Sequence, residues 1–357
     1  MTLGLKDLNK SFGRKRLLVS ASAAIPTGIT CLVGPSGSGK STLFRMISGL
    51  DNDFSGAILF GDRNVNSLRP QERGLSYLFQ LPPMPQQATV EAAISLPLIM
   101  SGTPAPSRKR LVTEICHRLR IDPLLDRPIA NLSGGEKQRA ALARTLVRST
   151  SIVLLDEPFK SSIEPELRGA LRGLIVELQA ERQQTMVIIT HDPDDVVGLS
   201  DHIAAIGQDG SIVIQSTQEA VQFPRTLTIA DSTGLFVSLT ATLGGNEYAL
   251  QDLPFIPVHA TEAASPLTAA GGLRLRANAL TARAGEDLRV VREISSFRGT
   301  SIVHVVPTAG HSSDDGRTHV LTVTHDRELP QMINLGCDSG QVLCFDARGQ
   351  RTEPCGI

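Results

Sequence analysis

A glycine-rich run at residues 34–42 constrains the fold of this chain more than any other feature. It reads GPSGSGKST, follows the apolar run 29–33, and leads into a helical pattern at residues 41–50. The run fits G-x-x-x-x-G-K-[ST]. Glycines let the backbone curl so that successive N–H groups point at phosphate oxygens, and a helix that begins there adds the positive end of its dipole. A buried strand, a phosphate-binding loop and a helix are therefore predicted in this order.

Every position of this loop is a candidate nucleotide contact. The set is Gly34, Pro35, Ser36, Gly37, Ser38, Gly39, Lys40, Ser41 and Thr42. The Lys40 ammonium offers a charge to the β- and γ-phosphates, and the Ser41 hydroxyl is the expected Mg²⁺ ligand. ATP and Mg²⁺ are the predicted ligands. The alternative is an ordinary Gly/Ser loop, which the strand before the run and the helix after it disfavour.

Two further apolar runs end in residues that suit phosphate chemistry. The run 152–155 ends in Asp156-Glu157-Pro158, and the run 186–190 ends at His191. A carboxylate at a strand tip holds Mg²⁺ in P-loop NTPases, which predicts Asp156 as a metal ligand through a bound water. Glu157 would then polarise the attacking water, and His191 would hydrogen-bond the γ-phosphate. The alternative for His191 is a surface or loop-capping residue.

A second glycine-rich helix start lies at residues 132–139, LSGGEKQR. Ser133, Gly134 and Gly135 would form another anion-binding helix N-terminus. A plain capping box formed by Ser133 and Glu136 is the alternative, but it leaves the double glycine unexplained. Here the chain resembles the ATP-binding-cassette (ABC) ATPases, whose signature motif is LSGGQ; Glu136 occupies the last position.

The resemblance extends over about residues 1–220 and implies roles for further residues. Phe12 stands where the family places an aromatic that stacks on adenine, with core packing as the alternative. Gln80, in YLFQ, matches the glutamine that senses Mg²⁺ and the attacking water. Glu157 matches the catalytic glutamate and His191 the switch histidine. The catalytic set is therefore Glu157, His191 and Gln80, and the metal set is Ser41, Gln80 and Asp156.

The resemblance also implies a homodimer. In this family the Ser133 helix tip of one subunit completes the ATP site on the phosphate loop of the other, so two ATP molecules join two symmetric subunits. The segment after Asp156-Glu157-Pro158 departs from the usual SALD: Glu164 stands where an aspartate is usual, and Lys160 and Ser162 are also atypical. This change bears on coupling or on the hydrolysis rate rather than on ATP binding.

The order of elements predicts two domains. Strands alternate with helical patterns at 108–120, 136–148 and 164–182, which favours an α/β P-loop NTPase domain at residues 1–220, with a mostly parallel sheet and a helical subdomain at roughly 84–150. Residues 221–357 show short alternating segments at 288–294, 301–306 and 319–324, typical of a small all-β domain. A loop is predicted at 260–272 and an exposed turn at 308–317.

Segments 273–276 and 342–346 of the second domain resemble the OB-type (TOBE) accessory domain of bacterial importer ATPases. This implies a bacterial importer for sugars, molybdate, sulfate, polyamines or ferric ion. The alternative is a bare β-sandwich without a regulatory role.

Composition excludes other classes. The formal net charge is −1, which gives no argument for nucleic acid. The five cysteines show neither disulfide nor zinc spacing, and the N-terminus lacks the apolar core of a signal peptide. No apolar stretch approaches the roughly 20 residues that span a bilayer. We therefore expect a peripheral protein at the cytoplasmic face of the inner membrane, held by permease subunits and, through them, linked to a solute-binding protein. Met84 and Pro85 are predicted to lie on the permease-contacting surface.

Two rival functions stay open. A soluble ABC ATPase of DNA repair or translation is disfavoured, because the chain has one phosphate loop and no sustained heptads between Lys40 and Ser133. A hydrolysis-impaired ATP-sensing module is supported by Glu164 alone, and Glu157 and His191 oppose it.

Overall fold

The structure is a computed structural model. It describes residues 1–159, 163–241, 247–250, 253–260, 272–276, 281–297, 300–307, 319–324, 332–337, 342–345 and 350–352. The chain divides into two compact units, Met1–Gln218 and Glu219–Ile357.

The first unit contains ten strands and six α-helices among its described residues. In chain order they are β1 (Leu3–Phe12), β2 (Lys15–Ile25), β3 (Gly28–Val33), α1 (Lys40–Ser48), β4 (Ser55–Phe60), β5 (Arg63–Asn64), β6 (Ser76–Leu78), α2 (Val90–Met100), α3 (Ala105–Arg118), α4 (Gly134–Leu146), β7 (Ile152–Asp156), α5 (Pro165–Arg182), β8 (Thr185–Ile189), α6 (Pro193–Leu199), β9 (His202–Ile206) and β10 (Ile212–Ser216).

A six-stranded sheet forms the centre of this unit. Its strand order is β10-β9-β3-β8-β7-β6, and every pair is parallel except β10 with β9. All residues of β3, β7 and β8 are buried, which explains their continuous apolar sequences. The predicted mostly parallel sheet is confirmed. The carboxyl ends of parallel strands lie at one edge of a sheet, so the segments that follow β3, β6, β7 and β8 gather there.

A second sheet was not predicted. Strands β2-β1-β4-β5 form an antiparallel sheet in this order. Its inward side chains join those of α1 and of the parallel sheet in one apolar core; Leu5, Phe44, Ile58 and Val187 are representative members. Helix α1 is therefore fixed on its apolar side.

Buried Arg73 anchors the carboxyl end of α1. Its guanidinium donates to the carbonyls of Met46 at 2.7 Å and Ile47 at 2.8 Å. The last carbonyls of a helix lack partners within the helix, so these bonds satisfy groups that would otherwise be buried without one. The helix that follows the phosphate loop is thus held at its far end too.

Helices α2, α3 and α4 form the helical region between β6 and β7. The predicted helices at 108–120 and 136–148 begin and end two to three residues earlier, as α3 and α4. Helix α2 was not predicted as a helix. It begins after Thr89, whose hydroxyl accepts from the Ala92 N–H at 3.2 Å.

The second unit contains a short helix, α8 (Leu227–Ser232), after α7 (Thr217–Ala220) at the boundary. Its described strands are β11 (Phe236–Ala241), β12 (Glu247–Leu250), β13 (Leu253–Ala260), β14 (Gly272–Arg276), β15 (Thr281–Phe297), β16 (Thr300–Pro307), β17 (His319–Thr324), β18 (Met332–Cys337), β19 (Val342–Phe345) and β20 (Arg351–Thr352). They form one sheet in the order β16-β17-β15-β18-β13-β12-β11-β14-β19-β20. Of the loop predicted at 260–272, the end residues Ala260 and Gly272 belong to β13 and β14, and the residues between them lie outside the described part of the chain. The predicted turn at 308–317 also lies outside it.

Candidate active site

The phosphate loop connects the buried strand β3 to α1. Gly39 is the N-cap of α1 with φ 101°, and a Cβ there would lie 3.3 Å from the Leu17 Cβ. Gly34 has φ 155°, and a Cβ there would lie 2.7 Å from the Ser38 Oγ and 3.1 Å from the Ile206 carbonyl oxygen. A side chain at Gly34 would clash with Ser38, and one at Gly39 would crowd Leu17 of β2, so glycine at these two positions leaves backbone groups to line the loop. The Ser38 Oγ is buried, and no hydrogen-bond partner for it is found among the described residues.

Lys40 bends back over the loop. Its Nζ donates to the carbonyl of Gly34 at 2.7 Å and to that of Pro35 at 3.1 Å. Burial lowers the pKa of the Lys40 ammonium, and the charges of Asp156 and Glu157 oppose this shift. The cation is therefore held at the loop in a partly desolvated position, where an anionic ligand gains most from it.

Glu157 is the meeting point of the catalytic candidates. Its backbone N–H donates to the Ile189 carbonyl at 3.0 Å, which ties the end of β7 to the end of β8. The Gln80 Nε2 donates to one carboxylate oxygen of Glu157 at 2.9 Å. The His191 Nδ1 lies 3.7 Å from the other. The three residues predicted as catalytic are thus brought together at the sheet edge.

Glu157 has an unusual backbone conformation, with φ 50°. A non-glycine residue in the left-handed region is uncommon, and such residues cluster at functional sites. Asp156, the last residue of β7, is 3% exposed, whereas the His191 side chain is 87% exposed. One carboxylate is therefore enclosed by the protein, and the histidine faces outward.

Strand β6 positions Gln80. Tyr77 stacks on Phe79, with ring centroids 4.0 Å apart, and meets the Phe44 ring of α1 edge-on at 5.7 Å. Burial raises the pKa of the Tyr77 phenol well above its usual range. This aromatic cluster fixes the chain just before Gln80. The sequence contains its signal, since YLF precedes the glutamine, but sequence reasoning did not assign it a role.

The signature segment forms a capping box at the start of α4. The Ser133 N–H donates to a Glu136 carboxylate oxygen at 2.8 Å, and the Glu136 N–H donates to the Ser133 Oγ at 3.3 Å. The hydrogen bond from the Ser133 backbone lowers the pKa of Glu136. Ser133 and Gly134 are exposed and Gly135 is half-buried. Within the described part of the chain, no hydrogen bond joins Ser133 to the phosphate loop.

Gln138, which sequence reasoning missed, links α4 to the end of β7. It is buried, and its Nε2 donates to the Pro158 carbonyl at 3.3 Å. Pro158 directly follows Glu157. Helix α4 therefore contacts the turn that carries Glu157 of the same chain.

Phe12 lies at the end of β1 and is 55% exposed. The Lys10 Nζ lies 4.8 Å from the centroid of its ring, within the range of cation–π contacts. Lys10 is itself held by the Asp51 carboxylate at 2.9 Å and the Asp53 carbonyl at 2.6 Å. The Phe12 ring is thus supported at one place and open to solvent over much of its surface.

The atypical segment after β7 is described in part. Lys160, Ser161 and Ser162 lie outside the described residues. Glu164 is exposed and precedes α5 as its N-cap, and among the described residues its side chain makes no capping hydrogen bond. An aspartate or asparagine would cap a helix better, because its shorter side chain reaches the first N–H groups.

The described residues define a P-loop ATPase through three features. These are a strand–loop–helix phosphate site, an enclosed acid at the tip of a neighbouring parallel strand, and a convergent Glu–Gln–His set.

A family model described as "ABC transporter" matches residues 21–160. The chain is 31% identical, over 98% of its length and 99% of the relative's, to the sn-glycerol-3-phosphate import ATP-binding protein UgpC 3 of Agrobacterium fabrum. It is 34% identical, over 70% of its length and 69% of the relative's, to the sulfate/thiosulfate import ATP-binding protein CysA of Salmonella typhi.

Solved structures agree. The chain superposes on cbiO1 from Clostridium perfringens, part of the ABC transporter complex cbiONQ, with a TM-score of 0.55 and 26% identity, over 65% of this chain and 92% of that one. The chain belongs to the ABC transporter family, as one of its ATP-binding subunits. It binds ATP and is an ATPase, as the sequence predicted. None of its described helices is both long and apolar enough to cross a membrane.

Proposed function

We propose that this ATPase powers a bacterial importer, working as a homodimer in which each signature helix completes the ATP site of the partner. The relatives named above are import ATP-binding proteins, and one of them aligns over 99% of its own length, second unit included. Their names carry different solutes, so the proposal is made at the level of import. Residues 1–220 would form the ATPase cassette and residues 221–357 an OB-like accessory domain.

The observation that carries hydrolysis is the convergence on Glu157. The Gln80 amide donates to its carboxylate at 2.9 Å, and the His191 ring lies 3.7 Å away on the other side. A carboxylate held between an amide donor and an imidazole is oriented to accept a proton from a water molecule beside it. Glu157 would act as the base, Gln80 would orient it, and His191 would contact the γ-phosphate.

The loop at residues 34–42 would hold the triphosphate. The tight backbone at Gly34 and Gly39 and the partly desolvated ammonium of Lys40 suit an anionic ligand. The buried Ser38 hydroxyl would donate a hydrogen bond to it. Phe12, open to solvent at the end of β1, would stack on adenine. Stacking on an aromatic is worth about 1–3 kcal/mol per base in nucleic-acid sites.

Mg²⁺ would be held by Ser41, Gln80 and Asp156. Mg²⁺ uses one or two carboxylates and completes its shell with substrate phosphates and water, which this donor set matches. Among the residues that the structure describes, no three His, Cys, Asp or Glu side chains cluster as a metal site of their own. The ion would neutralise charge on the phosphates.

The permease would contact the groove between β6 and α4. The groove is lined by Tyr77, Met84, Pro97 and Arg144, among others. Arg144 donates to the Pro83 carbonyl at 2.6 Å and to the Met84 Sδ at 3.6 Å, so the segment after Gln80 is held on the signature helix. Pro85 beside it is exposed. A permease seated here would hold the subunit at the cytoplasmic face of the inner membrane and connect it to a solute-binding protein.

The hydrolysis proposal is tested by ATP turnover of the wild type and of Glu157→Gln. The glutamine keeps the size of the side chain but cannot take a proton. We expect the wild type to turn over ATP and the variant to be slower by about 10²-fold or more, with ATP still bound. Equal turnover rates in the wild type and the variant would contradict the proposal and favour an ATP-sensing module. Copurification of membrane subunits with the wild type, and their loss in Pro85→Glu, tests the transporter assignment.

A further inference from the structure

Arg172 lies in α5 and binds the acidic residues that follow His191. Its Nε donates to the Asp195 Oδ1 at 2.6 Å, and an Nη donates to the Asp192 Oδ2 at 3.1 Å. The Asp194 carboxylate lies 3.8 Å from the other Nη. One guanidinium thus gathers three carboxylates within four residues of the histidine.

The same network reaches the residue before His191. The second carboxylate oxygen of Asp195 accepts from the Thr190 Oγ1 at 2.6 Å, and that hydroxyl accepts from the Asp192 N–H at 3.1 Å. Asp195 and Thr190 are 2% and 6% exposed. Both chain neighbours of His191 are therefore fixed by groups that connect to Arg172.

His191 depends on this bracing for its place. Its side chain is 87% exposed, and the Nδ1 of its ring lies 3.7 Å from a carboxylate oxygen of Glu157. A ring this exposed is not fixed by its own packing. Its position is set by the backbone of residues 190–192, which the Arg172 network holds.

Arg172 also contacts the segment that follows Glu157. Its guanidinium carbon lies 6.0 Å from the ring centroid of Phe159, two residues after the glutamate. Helix α5, which carries Arg172, begins directly after Glu164. One side chain therefore touches the loops of both His191 and Glu157 from the helix that follows the atypical segment.

We propose that Arg172 is a positioning residue for ATP hydrolysis, which holds the His191 loop at its working distance from Glu157. The inference rests on the proposed roles of Glu157 and His191. A purely structural role, in which Arg172 only neutralises the buried Asp195 carboxylate, is the competing account. The two accounts differ in what they predict for turnover once folding and ATP binding are intact.

The test measures kcat and KM for ATP in Arg172→Met, with thermal unfolding of each protein. Misplacing a reacting group by about 1 Å costs up to about 10²-fold, so we expect kcat to fall roughly 10- to 100-fold. KM should change by less than about twofold, because the phosphate loop is untouched. Arg172→Lys should recover part of kcat, since an ammonium can meet one carboxylate but not two in the fork geometry.

The matched control is Arg182→Met on the same helix. Arg182 is partly buried, and it donates to the Leu146 carbonyl at 2.7 Å, away from the His191 loop. It should lose thermal stability with kcat unchanged. If Arg172→Met folds poorly, Asp192→Asn replaces it in the test. Asparagine still caps α6 but weakens the contact with Arg172. The kcat of Asp192→Asn should fall, and its KM should stay unchanged.

A double-mutant cycle decides whether the effect passes through His191. If Arg172 acts by placing the histidine, Arg172→Met lowers kcat little further in a His191→Gln background. Full additivity, a wild-type kcat in Arg172→Met, or an equal loss in Arg182→Met would overturn the inference while leaving the ATPase proposal intact. A wild type that does not hydrolyse ATP would overturn both.

Discussion

Replacing Gly39 by alanine measures how far ATP binding depends on the backbone of the phosphate loop. Gly39 has φ 101°, and an added Cβ would lie 3.3 Å from Leu17. Holding a non-glycine residue in such a conformation costs about 1–3 kcal/mol. If the loop relaxes instead, Lys40 and Ser41 turn with it. ATP must then restore the loop at the same cost, which corresponds to a roughly 5- to 150-fold weaker affinity.

The matched control is Gly173→Ala in the interior of α5. Among the described residues, no side chain or neighbouring element places a heavy atom within 4 Å of a Cβ built there, and Gly173 does not have positive φ. Alanine is favoured over glycine in a helix interior by about 1 kcal/mol, so this variant should be more stable than the wild type. In urea titration the free energy of unfolding should change in opposite directions in the two variants. In nucleotide titration the ATP affinity should fall in Gly39→Ala and stay unchanged in Gly173→Ala. Wild-type affinity and stability in Gly39→Ala would refute the reasoning.

Further predictions concern residues around the same site. Arg73→Met should lower the free energy of unfolding by roughly 3 kcal/mol or more, because two buried carbonyls lose charged donors; exposed Arg69→Met should stay within about 0.5 kcal/mol of the wild type in the same urea titration. Ser133→Ala should cost about 1 kcal/mol of stability through loss of the cap of α4, read from the urea midpoint. Gln80→Ala should lower ATP turnover about tenfold or more while nucleotide titration finds ATP affinity retained. Because the pKa of Lys40 is lowered, its ammonium loses its proton at a lower pH than an ordinary lysine; ATP affinity should therefore fall as the pH rises into the alkaline range, and titrations of Lys40→Ala should lack this dependence.

The buried strands were the most predictable part of the fold. The runs 29–33, 152–155 and 186–190 predict the strands Gly28–Val33, Ile152–Asp156 and Thr185–Ile189 to within one residue at each end. A strand buried on both faces is apolar at most of its positions, so its sequence stands out without any long-range information. The residues that follow such strands then meet at one edge of the sheet.

The antiparallel sheet was less predictable. In β1, the buried positions Leu3, Leu5 and Leu8 do not keep a strict alternation, because the pairing with β2 shifts register between Leu5 and Leu8. A pattern of period two is the main signal of a half-buried strand, and the shift obscures it. Helix α2 was missed because its mixed apolar sequence includes Pro97.

Contacts between distant segments could not be predicted from the sequence. Gln138 binds the Pro158 carbonyl, and Arg172 binds Asp192 and Asp195. These contacts depend on how α4 and α5 pack against the sheet. Polar residues on helices are ordinarily exposed, so periodicity gives no reason to single these out. Gln80 was placed at the site by family resemblance, and its bond to Glu157 became visible only in three dimensions.

We expect ATP to join two copies of this chain through the Ser133 helix tip of each. The most direct test of this expectation is the mass in solution of Glu157→Gln, by light scattering, with and without ATP. Glu157→Gln should be a monomer without nucleotide and a dimer with ATP. Lys40→Ala in the same background should remain monomeric under both conditions. A Glu157→Gln variant that binds ATP and stays monomeric would contradict the expectation.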